Sequence, residues 1–553
     1  MTKILSTIIG FIFFGSMASA QLTEFSQGDI LSAGAMNQNF KYLEDRFGGL
    51  NEKTVDCGTS GTGAGINAAI KDGYNSIIVK GICKENISIL ANDGNRNYLK
   101  LKGFNNDQNS DKIVDNSSNS TAVIKIEGSM VLKIDNLTLS GGDRGIRVDG
   151  TSSIFADNIT VESYTSYGIQ IEGPSYLELG SVKIDGTKQS ANDDVGVKLG
   201  AGSYGYFHGT TTVNGNSSNI GGIAASGGII WMTGTVNLDS NKQSLVIESG
   251  GKMGFSGNSN TTITNSTDYG IKAYFGQLWN YGTMTISDSS DGNWGVLIDR
   301  SGAYLSNLTV TGGSGSDPLI GVYDSIFTLD DATIKNHQGD LINSTRSSLK
   351  FSGTNSVLNE NSSSKCLIYF EDVDFEFRGT TTINGTNNSS CSALGMKRSR
   401  GVIRNISISS PVAALYMESS DVYIRGGSFS SSGKEAISPR NGSRLSIKSY
   451  DNNVSITSSA DEALEIKSSF VQLEKGSNDL TISSTASDKA DTSSEEISTL
   501  VIEDHTFSSV EIEAGSSLVL SDDATITTLT CSSTSNIEKD GTVTNSTGCA
   551  QAQ

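Results

Sequence analysis

The chain has 553 residues, with 40 Lys and Arg against 60 Asp and Glu and a formal charge of −20, so its field repels nucleic acid. Its 62 glycines, four prolines and 7% aromatic residues describe many turns and small side chains, which all but excludes long helices. Disorder would share that polarity but would not supply short β-branched strands at regular intervals.

The chain opens with MTKILSTIIGFIFFGSMASAQ. One early lysine, an apolar run from Ile4 to Phe14 and the small residues Ala18, Ser19 and Ala20 predict a secretory signal over residues 1–20. The run is shorter than the roughly 20 residues that span a bilayer, and none like it follows, so no membrane span is expected. The product is expected to be secreted, extracellular or periplasmic. Residues 21–53 read as an amphipathic helix and linker: Met36, Phe40, Leu43, Phe47 and Leu50 are spaced by 4, 3, 4 and 3, and Gly48 and Gly49 end the helix. About two heptads make too short a coiled coil to be stable alone. The helix is expected either to pack on the elements that follow or to mediate self-association or docking through residues 30–50.

A recurring phrase then takes over: RGIRVDGTSSIFADNITV from Arg144, YGIQIEGPSYLELGSVKI from Tyr167, YGIKAYFGQLWNYGTMTI from Tyr269 and WGVLIDRSGAYLSNLTV from Trp294. Its first apolar residue recurs as Ile146, Ile169, Val197, Ile223, Leu245, Ile271 and Val296, at spacings of 23, 28, 26, 22, 26 and 25. A period of this kind means a repeat architecture. Within each phrase apolar and polar residues alternate, as in Ile169, Ile171, Leu177 and Leu179, so the units are strands. Helical and leucine-rich solenoids do not fit, and a propeller blade needs about 40 residues. The remaining solution is a coil of three short strands per rung.

This pattern resembles the right-handed parallel β-helix of the pectate-lyase-like superfamily over residues 54–500, an all-β solenoid of about 25 residues per rung. In VDCGTSGTGAGINAAIKDGYNSIIVKGICKENISI, Ile66, Ala69 and Ile70 form the apolar face of a short helix expected to close the open end. Residues 501–553 read as C-terminal rungs and a disulfide-tied tail. The resemblance implies polysaccharide as the molecule acted on or held, in a groove along one sheet, with calcium and carboxylates in the enzymes of this fold.

Rungs stack about 4.8 Å apart, and a disulfide needs Cα atoms about 4.4–6.8 Å apart. Cys57 with Cys83 and Cys366 with Cys391, separated by 26 and 25 residues, are therefore expected to bridge neighbouring rungs, the second from a loop. Cys531 and Cys549 would tie down the tail. No CxxC occurs and the three histidines lie far apart, which argues against structural zinc. Asn136, Asn158, Asn307 and Asn405 recur before the last strand of a rung, and asparagine tolerates left-handed turns and stacks on its own copy, so a ladder is expected.

Two surfaces are candidates for binding. Asp149 and Glu172 end the first strands of adjacent rungs, near Asp143 and Arg144. Two carboxylates so placed repel unless a cation such as calcium separates them; the alternative is a solvated turn. Residues 396–448 carry Lys397, Arg398, Arg400, Arg404, Arg425, Lys434, Arg440, Arg444 and Lys448 against Glu418, Asp421 and Glu435, a local balance of +6. Such a band suits an acidic polysaccharide or cell-surface glycan. The expectation is a non-catalytic exported binding protein, with a polysaccharide lyase or glycoside hydrolase as the alternative.

Overall fold

In the computed structural model the described residues are 51–549, apart from 60–62, 91–96, 108, 117–120, 187–193, 216–219, 288–293, 314, 361–364, 386–389 and 488. The signal over residues 1–20 and the helix and self-association segment over residues 30–50 lie outside the described residues. From Lys53 onward the chain forms a parallel β-solenoid whose rungs stack by parallel pairing.

The period-two pattern dictates which side chains face inward, and the period of the phrase dictates how rungs stack. Ile146 pairs with Ile169, Ile169 with Val197, Val197 with Ile223, Ile223 with Leu245, Leu245 with Ile271 and Ile271 with Val296. The spacing-derived alignment is thus the register, and all seven side chains are fully buried. A slip of one residue would turn this column to solvent, which is why the register is specified so strongly. First strands, from Ile87–Leu90 to Thr542–Thr547, form one sheet of twenty strands among the described residues. Second and third strands line the other faces. They are joined where Val131–Ser140 and Ser153–Glu162 run unbroken around a corner.

At that corner Asn136 and Asn158 take φ of 53° and 50°, and the Asn158 amide donates to Asn136 Oδ1 at 2.5 Å. The expected asparagine ladder is therefore realised as one stacked pair. Between it and Asn307 the same register position carries Ser181, Thr210, Thr235, Asn260 and Thr283, and Asn405 instead donates to Thr380 Oγ1 at 3.0 Å.

A second corner, between first and second strands, is turned by buried serines. Ser325 N–H donates to Ser347 Oγ at 3.1 Å, Ser399 N–H to Ser420 Oγ at 3.1 Å and Ser420 N–H to Ser443 Oγ at 3.2 Å. Each hydroxyl stands in for the ladder bond that the turning backbone cannot make, giving these three N–H groups a partner. Inside, the solenoid is filled by stacked aliphatic columns and one aromatic layer in which Phe351 and Phe377 lie at 4.3 Å and 14° between ring planes.

The ends are managed differently. The helix Ile66–Lys71 buries Ile66 and Ala69, with Ile70 packed against the core, as its apolar face predicts. Glu85 caps it, accepting N–H bonds from Gly65, Ile66 and Asn67 at 2.9, 2.8 and 2.9 Å. At the other end third strands stop with Leu480–Ser484 and the rung shrinks: Thr492 pairs with Val510 and Val510 with Leu529. All three disulfides form, with Cα separations of 5.1, 4.8 and 4.6 Å. Cys531–Cys549, with its sequence separation of 18, closes one of these short two-strand rungs rather than a loose tail.

Candidate functional site

Stacking changes the meaning of the basic band. At the turn after the first strand the register runs Glu371, Lys397, Glu418, Arg440. At the start of the second strand it runs Asp374, Arg400, Asp421, Arg444. Both columns alternate in sign, so each cation stands in register with a carboxylate of a neighbouring rung, and all but Arg444 pair with an acidic side chain. Lys397 lies 3.9 Å from Glu371, while Arg398 binds Glu371 at 2.7 Å and Asp372 at 2.8 Å. Arg400 pairs with Asp374 at 2.5 Å, and Arg404 reaches Glu376 at 3.2 Å and Asp451 at 3.5 Å. Arg425 meets Asp451 at 3.0 Å, and Arg440 meets Glu435 at 3.3 Å and Glu465 at 2.7 Å. Arg444 covers the Phe470 ring at 5.6 Å.

A shallow cleft of about 450 Å³ opens here, lined by Asp372, Asp374, Arg398, Arg400, Asp421 and Arg444. Over residues 371–474 the chain holds eleven basic and twelve acidic residues. The +6 belongs to a linear window; the folded surface is balanced.

Asp149 and Glu172 are register partners. Asp149 is held by Arg147 at 2.7 Å, and Glu172 accepts from Gln170 at 2.9 Å with Lys198 at 3.8 Å. Asp143 pairs with Arg144. The repulsion anticipated between the stacked carboxylates is thus relieved by Arg147 on the strand of Asp149 and by Lys198 from the rung after Glu172. Among the described residues no group of three or more His, Cys, Asp or Glu side chains is placed to hold a metal ion.

Aromatic side chains supply the more distinctive surface. The outward position at the middle of the second strand runs Phe155, Glu178, Tyr206, Trp231, Gly254, Trp279, Tyr304 over seven rungs. The adjacent outward position carries Tyr176, Tyr204 and Ile229. Seven rungs span roughly 30 Å. Rings touch in two groups: Phe155 with Tyr176 at 5.7 Å and Tyr176 stacked on Tyr204 at 5.8 Å and 6° near one end, and Tyr281 with Tyr304 at 5.2 Å near the other. A Cβ added to Gly254 would meet the Trp231 indole at 2.0 Å, so that indole lies over bare backbone. The chain has three tryptophans, and all stand on outward faces, none in the core.

A polar station interrupts the aromatic stripe. The Tyr176 hydroxyl donates to Glu178 at 2.8 Å, and His208 lies 3.3 Å from the same carboxylate. That hydrogen bond raises the His208 pKa, against the opposing effect of burial. Burial, followed by the Glu178 charge, raises that of Tyr176. None of these outward aromatics stands out along the chain, because consecutive members are separated by a full rung. The available signal is a fixed offset, visible in YLELG, YGYFHG, IIWMTG and QLWNYG.

A titrating pair lies apart from this surface. Burial, reinforced by the hydrogen bond with Asp461, pushes the Glu462 carboxyl up to about 7, while that bond lowers Asp461. Lys489 contacts both at 2.9 and 3.3 Å. The folded chain therefore keeps a proton on Glu462 after the unfolded chain has released it, and stability falls as pH rises from the ordinary glutamate range to about 7. Glu462→Gln is expected to flatten that fall in denaturant titrations at a series of pH values; an unchanged profile would show that Glu462 does not titrate there. No protein-family model matches this chain, and no curated protein matches it.

Proposed function

We propose that this is an exported, non-catalytic binding protein that holds polysaccharide against the outer aromatic face of the solenoid. The observation that carries the reading is the stripe from Phe155 to Tyr304, with Trp231 and Trp279 outward and, beside Tyr206 and Trp231, the adjacent Tyr204 and Ile229, which are 39% and 41% exposed. Flat apolar rings with polar rims match the apolar faces and hydroxyl edges of sugar rings, and aromatic contacts of this kind are among the strongest available on an exposed surface. A chain of sugars can engage many weak contacts at once, so a long rigid stripe gains avidity from length. Three disulfides suit an oxidising compartment outside the cytosol, and among the described residues no helix is long and apolar enough to cross a membrane.

Hydrolysis or lyase chemistry on the same face is the second reading, favoured by the meeting of Glu178 and His208 within the stripe. Both readings are tested by incubating the purified protein with a panel of polysaccharides and following retention, reducing ends and unsaturated-product absorbance together. Retention without degradation is the expected result. Degradation would replace binding by catalysis, and retention on no polymer would overturn both.

A further inference from the structure

Resting on the reading of the aromatic face as a polysaccharide surface, we infer that its ligand is an uncharged polymer in the extended two-fold ribbon form of β-1,4-linked pyranoses. It lies along the solenoid axis with one sugar ring per rung. Rungs repeat about every 4.8 Å, close to the length one pyranose adds to such a ribbon. In a two-fold ribbon successive rings are turned over, so every second ring presents the same face. Trp231 and Trp279 occupy one outward column with Gly254 between them, and are therefore two rungs, about 9.6 Å, apart. It is their Cα atoms that are spaced two rungs apart, so side chains rising from them reach toward alternate rings that face the same way. Gly254 makes that possible: any side chain there would displace the Trp231 indole, which an added Cβ would meet at 2.0 Å.

Charge decides between polymer classes. On the outward positions of these strands Lys133 and Lys252 stand against Asp135, Asp157, Glu178 and Asp330, with Lys100 of the preceding rung 3.9 Å from Asp135 and His208 3.3 Å from Glu178. Lys133 already faces Asp135 at 4.0 Å. A polyuronate would bring its carboxylates against this excess and against the overall charge of −20, whereas the hydroxyls of a neutral polymer are donors to those same carboxylates. A helically coiled α-1,4-glucan curves away from a straight column and can reach only part of it.

The test uses the purified protein with insoluble β-1,4-glucan, soluble β-1,4-mannan, α-1,4-glucan and polygalacturonate. Retention is expected on the two β-1,4 polymers, falling at least tenfold in the Trp231→Ala/Trp279→Ala variant with thermal unfolding nearly unchanged, since both side chains point outward. A second variant, Trp279→Ala/Tyr304→Trp, keeps two indoles on the face but separates them by three rungs; its retention should stay low. Undiminished retention by the double alanine variant, or full recovery in the respaced one, overturns the inference. Preference for α-1,4-glucan or polygalacturonate also overturns it while leaving glycan binding intact. Retention on none of the four takes down both readings.

Discussion

Replacing Phe377 by alanine is expected to cost about 3–5 kcal/mol of local stability. Phe377 is fully buried and sits at the centre of the aromatic layer, 4.3 Å from Phe351, 5.8 Å from Phe375 and 6.4 Å from Phe370. The neighbouring rungs are held apart by their own backbone ladders, so the space vacated cannot collapse, and a large part of the cavity penalty remains. A solenoid contacts itself only between adjacent rungs, which makes its stability a sum of rung and interface terms. The loss should therefore appear as faster hydrogen exchange in strands Ser348–Ser352, Asp374–Phe377 and Arg400–Ile403, while strands near Ile169 keep their protection. Uniform loss along the chain would contradict rung-by-rung stability, and unchanged exchange would show the layer to be loosely packed.

The second large effect is expected at Glu85. Its buried carboxylate satisfies three backbone donors at the start of the capping helix. Alanine would leave those N–H groups without a partner in a region closed to water, at about 1–3 kcal/mol for each group left buried and unsatisfied. A loss of about 2–4 kcal/mol confined to the first rungs is expected once water reaches part of the site. Glu85→Gln keeps an acceptor oxygen without the charge and should lose about half as much. Limited proteolysis reads the outcome, as early cleavage between residues 63 and 90 in Glu85→Ala. Resistance equal to the parent would show that the helix is held by Ile66 and Ala69 alone.

Much of the architecture was determined by the sequence itself. Alternation of period two decides which side chains turn inward, and the recurrence from Ile146 to Val296 decides how rungs align; parallel stacking has no freedom to slip by one residue without exposing the core. Cys57 with Cys83 and Cys366 with Cys391 were legible for the same reason, since a separation of one rung is a separation of one strand spacing. The short helix at Ile66–Lys71 was legible because an open rung must be covered. The corner serines were also legible in principle, recurring just before the second strand in DSIFT, SSLKF and SSDVY. Their role was not, because it exists only where a turned backbone leaves an N–H facing the next rung.

Tertiary structure alone decided the surfaces. Arg400 reads as part of a basic run until Asp374 and Asp421, from the rungs on either side, flank it. Trp231 and Trp279 read as unrelated tryptophans until two rungs of stacking place them in one column. Cys531 and Cys549 read as a tail clamp until loss of the third strand shortens the rung to match them. In each case residues one or two full turns of the coil apart are brought together by rungs that repeat about every 4.8 Å, so local charge and composition describe the chain but not the face it presents.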